Sequence, residues 1–202
     1  MANGNAFLLG KATAFDTTGT IPGGTRLLVV AVPQLTTAIT VNSISMTVDI
    51  TGTESATTLS IQHLVNPPTG AVTFSNACYW WAVRDSSGVV ADTGSDVVTG
   101  DTTRSYAIDI RGDNLTFCAA NDYFNDNLNI TQAAYTQDYD VQSYGSHSYI
   151  LGRYTGGTPQ TNYTTTCTSV DDTDRFIFIG ASYEYSFAGT TGVAFLSEYG
   201  II

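Results

Sequence analysis

Apolar and polar residues alternate with period two along much of this chain, the pattern of strands with one face buried. Ile44, Met46, Val48 and Ile50 fall on one face, Ser45, Thr47 and Asp49 on the other, and Gly52 breaks the run. Upstream, Ile39 and Val41 have the opposite parity, so the phase slips at Asn42-Ser43. Such a slip predicts a β-bulge or a bend between two sheets. Leu59, Ile61, His63 and Val65 make the next apolar face, stopped by Asn66-Pro67-Pro68. Further strands are predicted over Ala6–Phe15, Arg26–Val32, Val72–Arg84, Val89–Ala91, Tyr106–Ile110, Leu115–Cys118, Phe176–Phe187 and Val193–Tyr199. Thr18-Gly-Thr, Pro22-Gly-Gly, Ser86-Ser-Gly and Ala188-Gly-Thr-Thr-Gly supply turns, where glycine accepts positive φ. No stretch carries a capped helical stripe, and Gln132–Tyr135 is too short to form a helix. Short strands separated by turns predict an all-β fold, an antiparallel β-sandwich of jelly-roll type in one domain over residues 1–202, with a closed barrel as the alternative.

One segment breaks the rhythm. Residues 119–175 are dense in Asn, Asp, Thr, Gly and Tyr and are expected to project as a long loop or small subdomain. Tyr123, Tyr135, Tyr139, Tyr144, Tyr149, Tyr154 and Tyr163 lie in it. Tyrosine among Ser, Gly and Asn is the composition of binding loops, since the ring offers contact area at small entropic cost. The same rings would equally serve to cap the sandwich.

Charge narrows the partners. Lys11 is the single lysine in 202 residues, six arginines accompany it, and fifteen aspartates and three glutamates bring the net charge to -11. Nucleic-acid binding needs several cations to displace counterions, so direct contact with nucleic acid is not expected. Hydrophobic residues make up 43% of the chain, enough for a core, while no apolar run of about 18 residues predicts a membrane span. The opening Met-Ala-Asn-Gly-Asn lacks a basic region followed by a long apolar stretch, which points to synthesis in the cytoplasm without a secretory signal.

Candidate chemistry is sparse. Cys78, Cys118 and Cys167 form no CxxC pair and read as small buried hydrophobes; a Cys118–Cys167 bridge would need an oxidising compartment. His63 lies on an apolar face and reads as a satisfied core residue. Ser146-His147-Ser148 contains a base and hydroxyls, but no nucleophile-elbow pattern surrounds it, and no enzyme is expected. No cofactor is expected. Structural calcium is the one metal considered, with Asp122, Asp126, Asp171, Asp172 and Asp174 as oxygen donors, although Ile130 stands where an EF-hand loop needs glycine. Asx turns are the competing explanation of these aspartates. Trp80 and Trp81 stand mid-strand and face opposite sides, so one is core and the other an interface anchor or a stacking platform for a sugar.

The opening Met-Ala-Asn-Gly-Asn-Ala-Phe7, the Thr/Val/Gly strands, and the ending Val193-Ala-Phe-Leu-Ser-Glu-Tyr-Gly-Ile-Ile202 together resemble virion structural proteins of tailed bacteriophages. The similarity is to small β-rich capsid decoration and tail-associated proteins, and it rests on the whole chain rather than on a motif. It implies a non-enzymatic protein of the virion that self-associates as trimers or larger rings and docks on a capsid or tail lattice. The resemblance assigns no site; the mid-strand tryptophans, the tyrosine-rich segment and the apolar end of the chain supply the expected interface residues, Trp80, Trp81, Tyr135, Tyr139, Tyr144, Tyr149, Tyr154, Tyr163, Ile201 and Ile202. A receptor- or carbohydrate-binding module is the second reading, with the Tyr, Trp, Asn and Asp side chains on a glycan. An extracellular filament subunit, which would require donated strands, is the third.

Overall fold

The computed structural model describes residues 6–55, 57–97, 101–123, 128–144, 147–169 and 175–186, with the side chains of 142–144 excepted. Among them the chain is all-β and every strand pairing is antiparallel. In chain order the first strands are β1 (Leu8–Lys11), β2 (Asp16–Ile21), β3 (Leu27–Pro33), β4 (Thr40–Val41), β5 (Ile44–Ser45), β6 (Thr47–Glu54), β7 (Thr57–Val65) and β8 (Gly70–Val83). These eight make one sheet, ordered β5-β4-β8-β3-β7-β6, with β1 and β2 also on β8. There follow β9 (Ser86–Asp96), β10 (Thr103–Ile110), β11 (Thr116–Asp122), β12 (Leu128–Ile130), β13 (Tyr135–Tyr144), β14 (His147–Tyr154), β15 (Gln160–Ser169) and β16 (Ile177–Tyr185). A five-stranded sheet runs β13-β14-β11-β16-β9, and a three-stranded sheet runs β10-β15-β12.

Two cores lie on the two faces of the five-stranded sheet. Phe117, Ala119, Tyr149, Leu151, Ile177, Ile179 and Tyr183 join the eight-stranded sheet in the first. The alternate residues Cys118, Ala120, Ile150 and Phe178 join Tyr106, Ile108, Leu128 and Cys167 of the three-stranded sheet in the second. With both faces covered, β11 is buried at every position, and a strand of that kind carries no polar alternation. The reading of residues 119–175 as a projection is therefore corrected. The segment carries the end of β11 and all of β12 to β15, and its threonines and tyrosines are β-formers half hidden between sheets.

The eight-stranded sheet turns on β8. The first half of that strand pairs with β2 and β4 and the second half with β1 and β3. Both faces of β3 are covered, and Leu27 to Val32 all belong to the first core. Gln62, paired with Val30, accepts from the Ile39 amide at 2.9 Å and donates to the Thr37 carbonyl at 2.9 Å, laying residues 37–39 over one face. Ser60 and Gln62 are consequently as buried as Leu59 and Ile61.

Several local expectations change. Asn42-Ser43 is a two-residue hairpin loop between Val41 and Ile44, both loop residues having positive φ (47° and 69°), and not a bulge. That is the geometry of a type I′ turn, which favours glycine at its second position. Ser43→Gly is expected to raise unfolding free energy by about 0.5–1 kcal/mol, measured by urea denaturation. Thr18-Gly-Thr lies inside β2, and Ser86-Ser-Gly opens β9 instead of making a turn. Gln132 to Tyr135 form a tight turn closed by the Tyr135 amide on the Gln132 carbonyl. The predicted strand Val193–Tyr199 lies outside the described residues.

Candidate interaction surface

Two buried aspartates organise the first core, and both are bulge residues. The register of β6 on β7 shifts between Val48 and Ile50, and that of β13 on β14 shifts between Gln137 and Tyr139. The extra residue in each strand, Asp49 and Asp138, is re-aimed inward. Simple alternation places Asp49 on the wet face; its side chain is in fact almost wholly buried.

Asp138 is the larger hub. Lys11 Nζ lies 2.6 Å from Oδ1, the Trp81 indole Nε1 donates to Oδ2 at 2.8 Å, and Arg153 Nε forms an ion pair with Oδ2 at 2.9 Å. The Tyr79 hydroxyl donates to the Asp138 carbonyl at 3.2 Å, and Arg153 Nη1 donates to Asn114 Oδ1 at 2.6 Å. Thus the only lysine joins β1 to β13, and the hub ties the eight-stranded sheet to the five-stranded one. Asp49 makes a second tie. Its Oδ1 lies 2.7 Å from His63 Nδ1 on the neighbouring strand, and its Oδ2 accepts the Tyr183 hydroxyl of the five-stranded sheet at 2.5 Å. Edge and tilted ring contacts run between the hubs through Tyr79, Trp81, Phe117, Tyr183 and His63, with centroids 5.0–6.1 Å apart.

His147 makes a third tie. Its ring nitrogens lie within 3.0–3.2 Å of the Gln34 carboxamide, and Nδ1 lies 3.1 Å from Asn121 Oδ1. Burial, and then the charge of Arg175, hold its pKa below the ordinary value, so the imidazole is neutral near pH 7. Ser148 beside it is buried. The second core is tied to the five-stranded sheet by Asp92 and Asp96 of β9, whose carboxylates accept the Asp109 and Ser105 amides of β10 at 2.8 Å each.

Burial is also the first cause that raises the phenols of Tyr79, Tyr106, Tyr135 and Tyr183; for Tyr183 the Asp49 carboxylate adds to it. The folded chain keeps these protons where an unfolded tyrosine would lose its own. Their stabilisation is therefore full below about pH 10 and fades as pH rises above it. Alkaline titration followed by tyrosinate absorbance is expected to show the exposed phenols first, then these four in one cooperative step coincident with unfolding. The three cysteines are free and buried, and burial raises their thiols too. They are expected to be silent to a thiol reagent until denaturant is added.

Of the seven expected interface residues whose side chains are described, five are interior. Trp81, Tyr149 and Tyr154 are fully buried, Tyr135 nearly so, and Trp80 is 7% exposed. The indoles do face opposite sides, Trp81 toward Asp138 and Trp80 toward Gly10 and Gly19 of the adjoining strands, but the curl of the sheet covers both faces. These five are corrected to core residues. Tyr139 is half-buried against the first core and Tyr163 against the second. The Tyr144 side chain, Ile201, Ile202, Asp126, Asp171, Asp172 and Asp174 lie outside the described residues. Asp122 is buried at the end of β11, and among the described residues no group of three His, Cys, Asp or Glu side chains is arranged to hold a metal ion.

The surface offers two other features, neither visible in the sequence. A crevice of about 220 Å³ has Trp80 in its wall and Lys11, Thr13, Asp16, Thr18 and Thr20 around it. A wider groove of about 390 Å³ opens where β8 passes into β9, between Arg26, Val65, Arg84, Ser86 and Ser87. Beside it Phe7 is 58% exposed and lies under the Arg84 guanidinium, whose carbon is 4.4 Å from the ring centroid. Val65 in the groove wall is 39% exposed. Comparison of the chain with protein-family models, with curated proteins and with solved structures returned no match, so the surface is interpreted from its own chemistry.

Proposed function

We propose that the chain is a non-enzymatic structural protein of a virion, of the capsid-decoration or tail-associated kind, which self-associates and docks on a capsid or tail lattice. The observation that carries this reading is where the reactive side chains go. The single lysine and both histidines join Asp138, Asp49 and Asn121 in ties within and between sheets, as a load-sharing block requires. Apolar residues exposed about the Arg84 groove, Phe7 and Val65, supply a contact surface. We read the eight- and five-stranded sheets as a β-sandwich of jelly-roll type to which the three-stranded sheet adds a further layer. Light scattering with negative-stain imaging of the same fractions tests the role. A stable symmetric oligomer or lattice is the expected result, and a monomer at high concentration sinks self-assembly.

A carbohydrate-binding role is favoured by one observation, the crevice beside Trp80 with its threonine hydroxyls and Asp16. In that case glycan-array binding by the wild-type protein would be lost on Thr13→Val/Thr20→Val, which removes exposed hydroxyls without touching the core.

A further inference from the structure

The seven cations of the chain have unequal surroundings. Lys11 and Arg153 are held by Asp138. Arg104 is fully buried, with Nε donating to the Phe176 carbonyl at 3.1 Å. Arg111 lies 3.5 Å from Asp109 and 3.4 Å from Glu184. Arg175 sits over the Tyr123 ring at 4.5 Å. Among the described residues Arg26 and Arg84 are the exposed arginines, and the two line the same groove. Arg26 donates to the neutral Asn66 at 3.2 Å, and Arg84 Nε donates to both carboxylate oxygens of the adjoining Asp85 at 3.3 Å, an ion pair that leaves the Arg84 side chain 47% exposed. Ser86 and Ser87 add hydroxyls to the same wall. Apolar Phe7 and Val65 rim the cationic floor, so a guest would lose water as it meets the charges.

We propose that this groove seats carboxylate side chains of a second copy of the chain. The inference rests on the self-association reading and specifies its contact. Charge complementarity selects the occupant: two arginines concentrated in one place face outward from a protein of net charge -11 and pI near 4.1, so another copy presents the acidic surface they match. The same charges exclude groove-to-groove contact, because arginine would meet arginine. The contact joins unlike patches, the groove on one copy to an acidic face on the next. Unlike patches can also meet reciprocally across a two-fold axis; repeated head to tail, as the trimers or larger rings of the self-association reading require, the contact is heterologous and closes into a ring or extends as a filament.

The test compares wild type with Arg26→Glu/Arg84→Glu by sedimentation velocity at about 50 mM and about 500 mM salt, circular dichroism and thermal melting confirming that both are folded. The expected result is a wild-type assembly with three or more copies, weakened by salt. The variant should need at least tenfold more protein to assemble and should show little salt dependence. Mixed into wild type, it should shorten assemblies, since it still offers an acidic face but no groove. If the folded variant assembles as the wild type does, the groove is not the contact, and self-association through another surface stands. A strict wild-type dimer overturns the heterologous geometry. A wild-type monomer at all concentrations overturns the self-association reading and this inference with it.

Discussion

Asp138→Ala is expected to lower the unfolding free energy by about 3–5 kcal/mol, the range for breaking a buried ion pair by removing one partner. Its carboxylate is wholly buried and meets Lys11, Arg153 and the Trp81 indole. Truncation leaves two cations without their counter-charge and an indole N–H without its acceptor; Trp81 and Arg153 are enclosed, while Lys11 keeps access to water. Arg153 is the more enclosed of the two and carries more of the loss. Asp138→Asn separates charge from shape, since the amide can still accept from Trp81 while the cations stay uncompensated. Adding Lys11→Met to Asp138→Asn should recover part of the loss, a coupling that a double-mutant cycle in urea denaturation measures. Tryptophan fluorescence reports the hub directly through Trp81. A loss below about 1 kcal/mol for Asp138→Ala, the scale of a surface pair, would show that the hub does not tie the sheets.

Gly180→Ala is expected to cost about 1–3 kcal/mol although it adds one methyl group, because the methyl has nowhere to go. Gly180 of β16 stands opposite Gly94 of β9, and the space a Cβ would take at each is filled by the Tyr106 ring of the three-stranded sheet. The paired glycines form a slot that lets β10 approach the five-stranded sheet, with Tyr106 tilted against Phe178 at 4.7 Å between centroids. A large side chain on one layer therefore occupies two missing ones on the next. Tyr106→Ala should cost about 3–5 kcal/mol by emptying the slot, as large-to-small changes of buried aromatics do. In that background Gly180→Ala should be close to neutral, and persistence of its full cost would place the strain elsewhere. The buried Tyr106 hydroxyl has no hydrogen-bond partner among the described residues. Tyr106→Phe should accordingly be neutral or slightly stabilising, which separates the ring's packing from its polar tip.

These two sites show where alternation could and could not be trusted. The apolar face Leu59, Ile61, His63 was legible because those residues meet the first core at every second position. β10 was legible for the same reason, its odd residues wet and Tyr106, Ile108 and Ile110 buried. β13 to β15 were not. Their inward positions are filled by Thr165, Ser169, Tyr149 and Gly152 among outward threonines and tyrosines, so a hydrophobicity pattern sees little contrast. The aspartate hubs were hidden for a different reason. A bulge shifts parity by one residue, and nothing in Val48-Asp49-Ile50 or Gln137-Asp138-Tyr139 marks the extra position. Lys11 could be singled out by its rarity, but its partner lies 127 residues away in the chain.

The sequence by itself determined the class: period-two patterning, β-branched and aromatic residues and glycine-marked turns can be satisfied only by antiparallel strands, and the charge count alone sets the acidic character of the surface. Tertiary structure decided which strands stack on both sides of the five-stranded sheet, which aspartates turn inward, and that two exposed arginines meet in one groove. The division follows from range. Strand formation is read from neighbours in the chain, whereas burial of a tryptophan, pairing of a buried carboxylate and convergence of two arginines depend on residues that only the closed sheets bring within reach.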